Sequence, residues 1–143
     1  FKPLREGATH YYKPVLNPTI ISAGDVFEVA GVRMSVFDQD HGFSRTLGYR
    51  IGNFGYSTDV VELPNAGFEA LLGVDTWLIG CFTDRQHLTH ANVSKVLRWV
   101  ERVSPRQAIL THLGPDLDFD ELTEILPVGV SVAFDGMEIQ ILT

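Results

Sequence analysis

Apolar residues along this chain fall into short runs separated by glycine, proline and acidic residues, the rhythm of strands with a few helices between them. After Pro18, residues 19–22 read as a short strand and Ala23-Gly24-Asp25 as a turn. Residues 26–30 and 32–37 are β-rich and meet at Gly31, with Val32, Met34 and Val36 alternating with Arg33 and Ser35 as in a half-buried strand. That strand runs out into Asp38-Gln39-Asp40-His41. Residues 47–51 and 54–58 form a hairpin around Gly52-Asn53, and Asp59 follows.

Pro64 precedes a short helix over 66–72, and 74–81 is a buried strand. Over 88–103, Val93, Val96, Leu97 and Val100 keep helical spacing and leave Lys95, Arg98, Glu101 and Arg102 toward water. Ser104-Pro105 stops that helix. A second buried strand over 107–110 leads into Thr111-His112-Leu113-Gly114-Pro115, and an acidic helix over 116–126 has Asp118 or Asp116 as its cap. Strands over 128–134 and 137–142 flank the Asp135-Gly136 turn. Residues 1–17, broken by Pro3 and Pro14, read as an extended connecting segment whose Tyr11-Tyr12 pair either packs on the body or lines a substrate mouth. The pattern predicts an α/β layer: a mixed sheet with two or three helices on one face, and an apolar opposite face that needs a partner.

Composition narrows the class. A chain of 143 residues, 45% apolar and 20% charged, fits one soluble domain. A net charge of −7 argues against a nucleic-acid polymer as partner, since that requires clustered Lys and Arg. The lone Cys81 excludes an internal disulfide, reads as a small buried hydrophobe and fits a reducing, cytoplasmic setting. No apolar run approaches the ~20 residues that span a bilayer. The first fourteen residues lack the apolar centre of a signal peptide, and a chain opening on Phe1 is expected to be excised from a longer one.

Chemistry gathers at strand ends. His41, Asp59 and His112 each close an apolar run, and imidazole, carboxylate and imidazole suit a borderline metal such as zinc or manganese. The alternative is three unrelated polar residues. Thr111 stands beside His112, where it could accept that ring's second N–H. His87 and His90, three apart at the start of the predicted helix, can share a face; the helix start beside them would also favour phosphate. Asp38, Asp40, Asp116 and Asp118 read as solvated or capping carboxylates.

The stretches DHGFSRTLGYRIGNFGYSTD, HLTHANVSKVLRWVERVSPRQAILTHLGP and LPVGVSVAFDGMEI resemble the metallo-β-lactamase fold, and within it the branch containing phosphoribosyl cyclic phosphodiesterase. The resemblance runs from about His10 onward. It implies a site with two divalent metal ions, held in part by His41, Asp59 and His112, with Asp59 between the ions. It implies that His90 is catalytic, meeting substrate beside the metals, that His87 has no such role, and that Asp135 supports a ligand or substrate; turn geometry explains Asp135 equally well. The substrate implied is a small cyclic phosphate or nucleotide-like ester, hydrolysed by a metal-activated water.

One element of that fold is missing here. The His-x-His-x-Asp-His motif does not occur, and among the five histidines no pair has His-x-His spacing. Residues 18–143 are therefore expected to correspond to the carboxy-terminal half of such a domain, inactive alone, and to pair with a missing amino-terminal half or self-associate. The competing expectation is a non-catalytic half-fold module that binds a partner chain or a phosphorylated ligand.

Overall fold

The computed structural model describes residues 18–141. Its sheet has seven strands in the order of the chain: β1 (Val26–Val29), β2 (Val32–Asp40), β3 (Arg45–Ile51), β4 (Phe54–Ser57), β5 (Thr76–Gly80), β6 (Gln107–Thr111) and β7 (Val130–Val132). Strands β1 to β4 are antiparallel neighbours, joined by tight turns at Gly31 and at Gly52-Asn53. From β4 onward the pairing is parallel, and each crossover carries one helix: α1 (Asn65–Ala70), α2 (Val93–Val103) and α3 (Phe119–Ile125).

Parallel crossovers are right-handed, so three successive ones stepping in the same direction put all their helices on one face. Burial agrees. Phe68 of α1, Val96, Trp99 and Val103 of α2 and Leu122 of α3 join one core cluster with Phe37, Trp77, Ile79, Leu110 and Val132 of the sheet. The opposite face carries, in register across the strands, Val36, Tyr49, Tyr56, Leu78, Ile109 and Ser131. Val36 and Ile109 there are buried, and Tyr49, Tyr56 and Leu78 are half-buried. No helix among the described residues is long and apolar enough to cross a membrane.

Three local expectations change. Helix α2 begins at Val93, not at 88, because the Asn92 side chain accepts the Lys95 backbone N–H at 2.9 Å and caps the helix there. His87 and His90 thus lie on the preceding loop. Among the described residues, 19–22 and 137–141 pair with no strand; Met137 N–H closes the Asp135-Gly136 turn onto the Phe134 carbonyl, but no ladder continues from it there. The connecting segment 1–17, with His10 and Tyr11-Tyr12, lies outside the described residues, as does Leu142.

Candidate metal centre

Strand direction brings the strand-end residues together. β2 is antiparallel to β3 and β3 to β4, so β2 points the same way as β4, β5 and β6. His41, Asp59 and His112 follow the carboxyl ends of β2, β4 and β6, and therefore emerge at one edge of the sheet. Crevices outside the carboxyl ends of parallel strands are where open α/β sheets bind ligands.

Each residue is held from behind. The Asp59 loop is clamped by Thr46, whose hydroxyl donates to the Asp59 carbonyl at 2.8 Å, and by Gln39, whose amide donates to the Thr58 carbonyl at 3.1 Å and to Thr46 Oγ1 at 3.3 Å. Gln39 is wholly buried, and its Oε1 has no partner among the described residues. Asp59 and His112 both adopt left-handed backbone, with φ of 53° and 60°. Such conformations cost on the order of 1–3 kcal/mol and concentrate at functional sites. Beside His112, Gly114 leaves no room for a side chain: a Cβ there would sit 2.4 Å from the Phe82 carbonyl oxygen.

Two of the imidazoles, those of His41 and His90, are oriented by one residue, Thr89. His41 Nδ1 donates to the Thr89 carbonyl at 2.7 Å, which leaves Nε2 with its lone pair free. The Thr89 hydroxyl meets His90 Nδ1 at 2.8 Å. His90 in turn sits with Nε2 3.3 Å from Asp59 Oδ1 and 3.2 Å from His112 Nε2, while His112 Nε2 is 3.5 Å from the same Asp59 oxygen. The loop carrying His90 is pinned at Ala91, whose N–H donates to the Val60 carbonyl at 2.7 Å and whose carbonyl accepts from Phe82 at 3.0 Å. The Phe82 ring stacks on His90 at 4.6 Å between centroids and leans on His112 at 5.5 Å, an apolar wall along one side.

These spacings suit a cation. Ligand atoms around a tetrahedral zinc, each about 2.1 Å from the ion, lie roughly 3.4 Å apart. The Asp59, His90 and His112 atoms are 3.2–3.5 Å apart, and one donor atom each of His41, Asp59 and His90 lie within 4.8 Å of one another. His90, read from the sequence as a substrate-facing residue, thus has its Nε2 in contact with both Asp59 and His112, a position from which it can meet an ion or a substrate bound beside one. Burial lowers its pKa below the ordinary 6.5, and His112 and His41 push the same way against the opposing bond to Asp59. The ring is therefore neutral near pH 7.

The other sequence candidates fall elsewhere. Thr111 ends β6, where its carbonyl accepts from Cys81 N–H at 2.8 Å, and its hydroxyl has no bond to His112 among the described residues. Asp135 is exposed on its turn with no bond to the cluster among the described residues. His87 comes close to the cluster without joining the donor atoms, its Nδ1 3.4 Å from that of His90. Asp38 and Asp40 pair with Arg45, and Asp118 caps α3. Asp116 caps nothing: it accepts from the Thr83 hydroxyl at 2.9 Å and from Arg85 at 3.0 Å, bonds that hold its carboxyl below the usual carboxylate range. Cys81 is buried, and burial pushes its thiol up to about 12. Sequence reasoning missed Thr89, Gln39, Thr46 and Phe82. A threonine directly before a candidate histidine was the one available signal.

Comparison with known proteins agrees with this architecture. A solved structure described as a new diphosphatase from the PhnP family superimposes with a TM-score of 0.81 at 26% identity, over 85% of this chain and 48% of that one. The metallo-β-lactamase fold protein YhfI from Bacillus subtilis shares the fold, with a TM-score of 0.66 at 16% identity over 82% of this chain and 53% of its own. A curated protein named octanoyltransferase, from Porphyromonas gingivalis, is 24% identical over 127 residues, which is 87% of this chain and 26% of that protein. The chain thus spans about half the length of these solved structures and about a quarter of the curated relative. The sequence model of the beta-lactamase superfamily domain matches residues 3–113. The chain belongs to that superfamily, and its fold is of the metallo-β-lactamase type.

Proposed function

We propose that this chain carries part of the active centre of a dinuclear metal-dependent phosphodiesterase acting on a small cyclic phosphate or nucleotide-like ester. The observation that carries the reading is the meeting of His41, Asp59, His90 and His112 at one sheet edge, with Thr89 setting two of the rings. The likeness to a diphosphatase supports phosphoester chemistry. The octanoyltransferase match takes in only 26% of that protein and lends no support to acyl transfer.

In this reading His41, Asp59 and His112 would hold zinc or manganese, with Asp59 the ligand common to both ions. Bound there, the ions would lower the pKa of a water toward about 7 and draw charge from the phosphoryl oxygens. His41 is suited to be a ligand because a carbonyl, which only accepts, keeps its proton on Nδ1 and its lone pair on Nε2. His90 is suited to proton transfer because its Nδ1 faces a hydroxyl, which donates or accepts as the ring changes state. The Nε2–H of the neutral ring can bind a phosphoryl oxygen, and the ring, once it has taken up a proton, can pass one to the leaving alkoxide and return to neutral. Phe82 keeps water from one side of that ring.

Three protein ligands for two ions leave coordination positions to be filled by further groups, and the chain contains no His-x-His-x-Asp-His. The isolated chain should therefore bind metal weakly and turn over nothing, and the half-buried sheet face bearing Tyr49, Tyr56 and Leu78 is where a complementary half or second copy would pack. The reading is tested by manganese- or zinc-dependent hydrolysis of bis(p-nitrophenyl) phosphate by the protein that carries this chain. Activity that survives chelation unchanged would refute it.

A further inference from the structure

Between β5 and α2 the chain makes an excursion over 84–90 that carries His87, Thr89 and His90 and has no regular structure. Its two roots are joined: Phe82 N–H donates to the Ala91 carbonyl at 3.0 Å, and Val93 N–H to the Thr83 carbonyl at 3.0 Å. His112 stands on a different loop, the one that leaves β6. The 3.2 Å between His90 Nε2 and His112 Nε2 therefore depends on how these two loops are held to one another.

Backbone and side chain both tie them together. Gly114 N–H donates to the Phe82 carbonyl at 2.9 Å. Asp116, a little further along, uses its Oδ2 to accept from the Thr83 hydroxyl at 2.9 Å and from the Arg85 guanidinium at 3.0 Å. The Thr83 hydroxyl also accepts the Arg85 backbone N–H at 3.3 Å, so its own proton is committed to the carboxylate. Thr83 is 2% exposed, whereas the Arg85 side chain is 73% exposed. A buried hydroxyl donating to a carboxylate makes a strong, directional bond, and an exposed ion pair contributes little. The side-chain tie that carries the geometry is therefore the one between Thr83 and Asp116. Thr83 adjoins Phe82, whose ring stacks on His90, and Asp116 closes the turn that begins at His112.

We propose that Thr83 and Asp116 are positioning residues, whose bond locks the loop of His112 to the root of the loop of His90 and so sets the spacing of the two rings. The inference rests on the phosphodiesterase reading, in which His112 would hold an ion while His90 meets substrate beside it. Thr83 and Asp116 act only through those rings. With the tie cut, His90 rides on an irregular excursion held at its roots alone, and its placement against a substrate loosens. A misplacement of about 1 Å at a reacting group can cost on the order of a hundredfold in rate.

The test uses the manganese-loaded protein that carries this chain, with bis(p-nitrophenyl) phosphate as probe. Thr83→Val keeps the shape of the side chain and removes the donor. It should lower kcat about tenfold, hold KM within about twofold and leave metal content as in wild type, the pattern of lost alignment in the transition state. Asp116→Ala cuts the same bond from its accessible end, where folding is not at risk, and should match Thr83→Val. Thr83→Ser keeps the donor but loses the buried methyl, so its recovery of kcat to within about twofold of wild type would follow the bond and not the packing. Wild-type kcat in Asp116→Ala or Thr83→Val, a loss of kcat that Thr83→Ser shares, or a loss of metal overturns the proposal. If the wild-type protein does not hydrolyse the probe, the phosphodiesterase reading fails for it, and the tie is judged in the EDTA-treated protein by amide hydrogen exchange. The Gly114 N–H should then exchange about tenfold faster in Thr83→Val and Asp116→Ala than in wild type and Thr83→Ser. Protection equal in wild type and Asp116→Ala, or lost alike in Thr83→Ser, overturns it.

Discussion

The backbone carbonyl of Thr89 accepts the Nδ1 proton of His41 at 2.7 Å, across 48 positions of sequence. The hydroxyl of the same threonine meets His90 Nδ1 at 2.8 Å. One residue therefore sets two imidazoles by two different groups, only one of which a side-chain substitution can remove.

Thr89→Ala deletes the hydroxyl and keeps the carbonyl. His41 should hold its orientation, so metal content should be unchanged, while turnover should fall about tenfold as His90 loses its partner. Elemental analysis alongside kcat checks this. A variant that sheds metal would mean that the hydroxyl, not the carbonyl, secures the ligands.

Thr46→Val removes the donor to the Asp59 carbonyl and the acceptor for Gln39. Two part-buried hydrogen bonds are lost at nearly constant shape, so stability to urea should drop by about 1–3 kcal/mol. Metal affinity should fall with it, because the left-handed backbone at Asp59 loses its clamp. An unaltered urea midpoint would show that the loop holds its shape without Thr46.

These supporting contacts explain what could and could not be read from the chain. His41, Asp59 and His112 each end an apolar run, so their arrival at a common edge follows from alternating strands and parallel crossovers. Thr89 carries no such mark, since both its contacts depend on where a loop without regular structure comes to rest. The same loop hid the start of α2: Leu88 continues the apolar spacing, and only the Asn92 cap shows where the helix begins. At the far end, Asp135-Gly136 has the turn chemistry of a hairpin, yet residues 137–141 pair with no strand among the described residues. Turn residues specify a bend, and the ladder beyond it requires a partner that local sequence does not name.

In the metal-free protein the lowered pKa of His90 has a consequence for folding. The unfolded ring titrates near its ordinary 6.5 and the folded one below it, so between those values the unfolded chain holds more protons. The contribution of this site is therefore fully present above pH 6.5 and is lost as pH falls toward the folded value. Urea midpoints of the EDTA-treated protein should decline from pH 7 to pH 5, and His90→Asn should flatten that decline. An equal slope in wild type and variant would assign the acid sensitivity to other groups.

The central claim is the division of labour between Asp59 as a shared metal ligand and His90 as a substrate-facing group. It is tested most directly by metal content after dialysis of the Asp59→Asn and His90→Ala proteins, each compared with wild type and each assayed for hydrolysis of bis(p-nitrophenyl) phosphate. The account predicts that Asp59→Asn loses both metal and turnover, while His90→Ala loses turnover and keeps its metal. An Asp59→Asn protein that retains both ions and near-normal activity, or a His90→Ala protein that emerges metal-free, would contradict it.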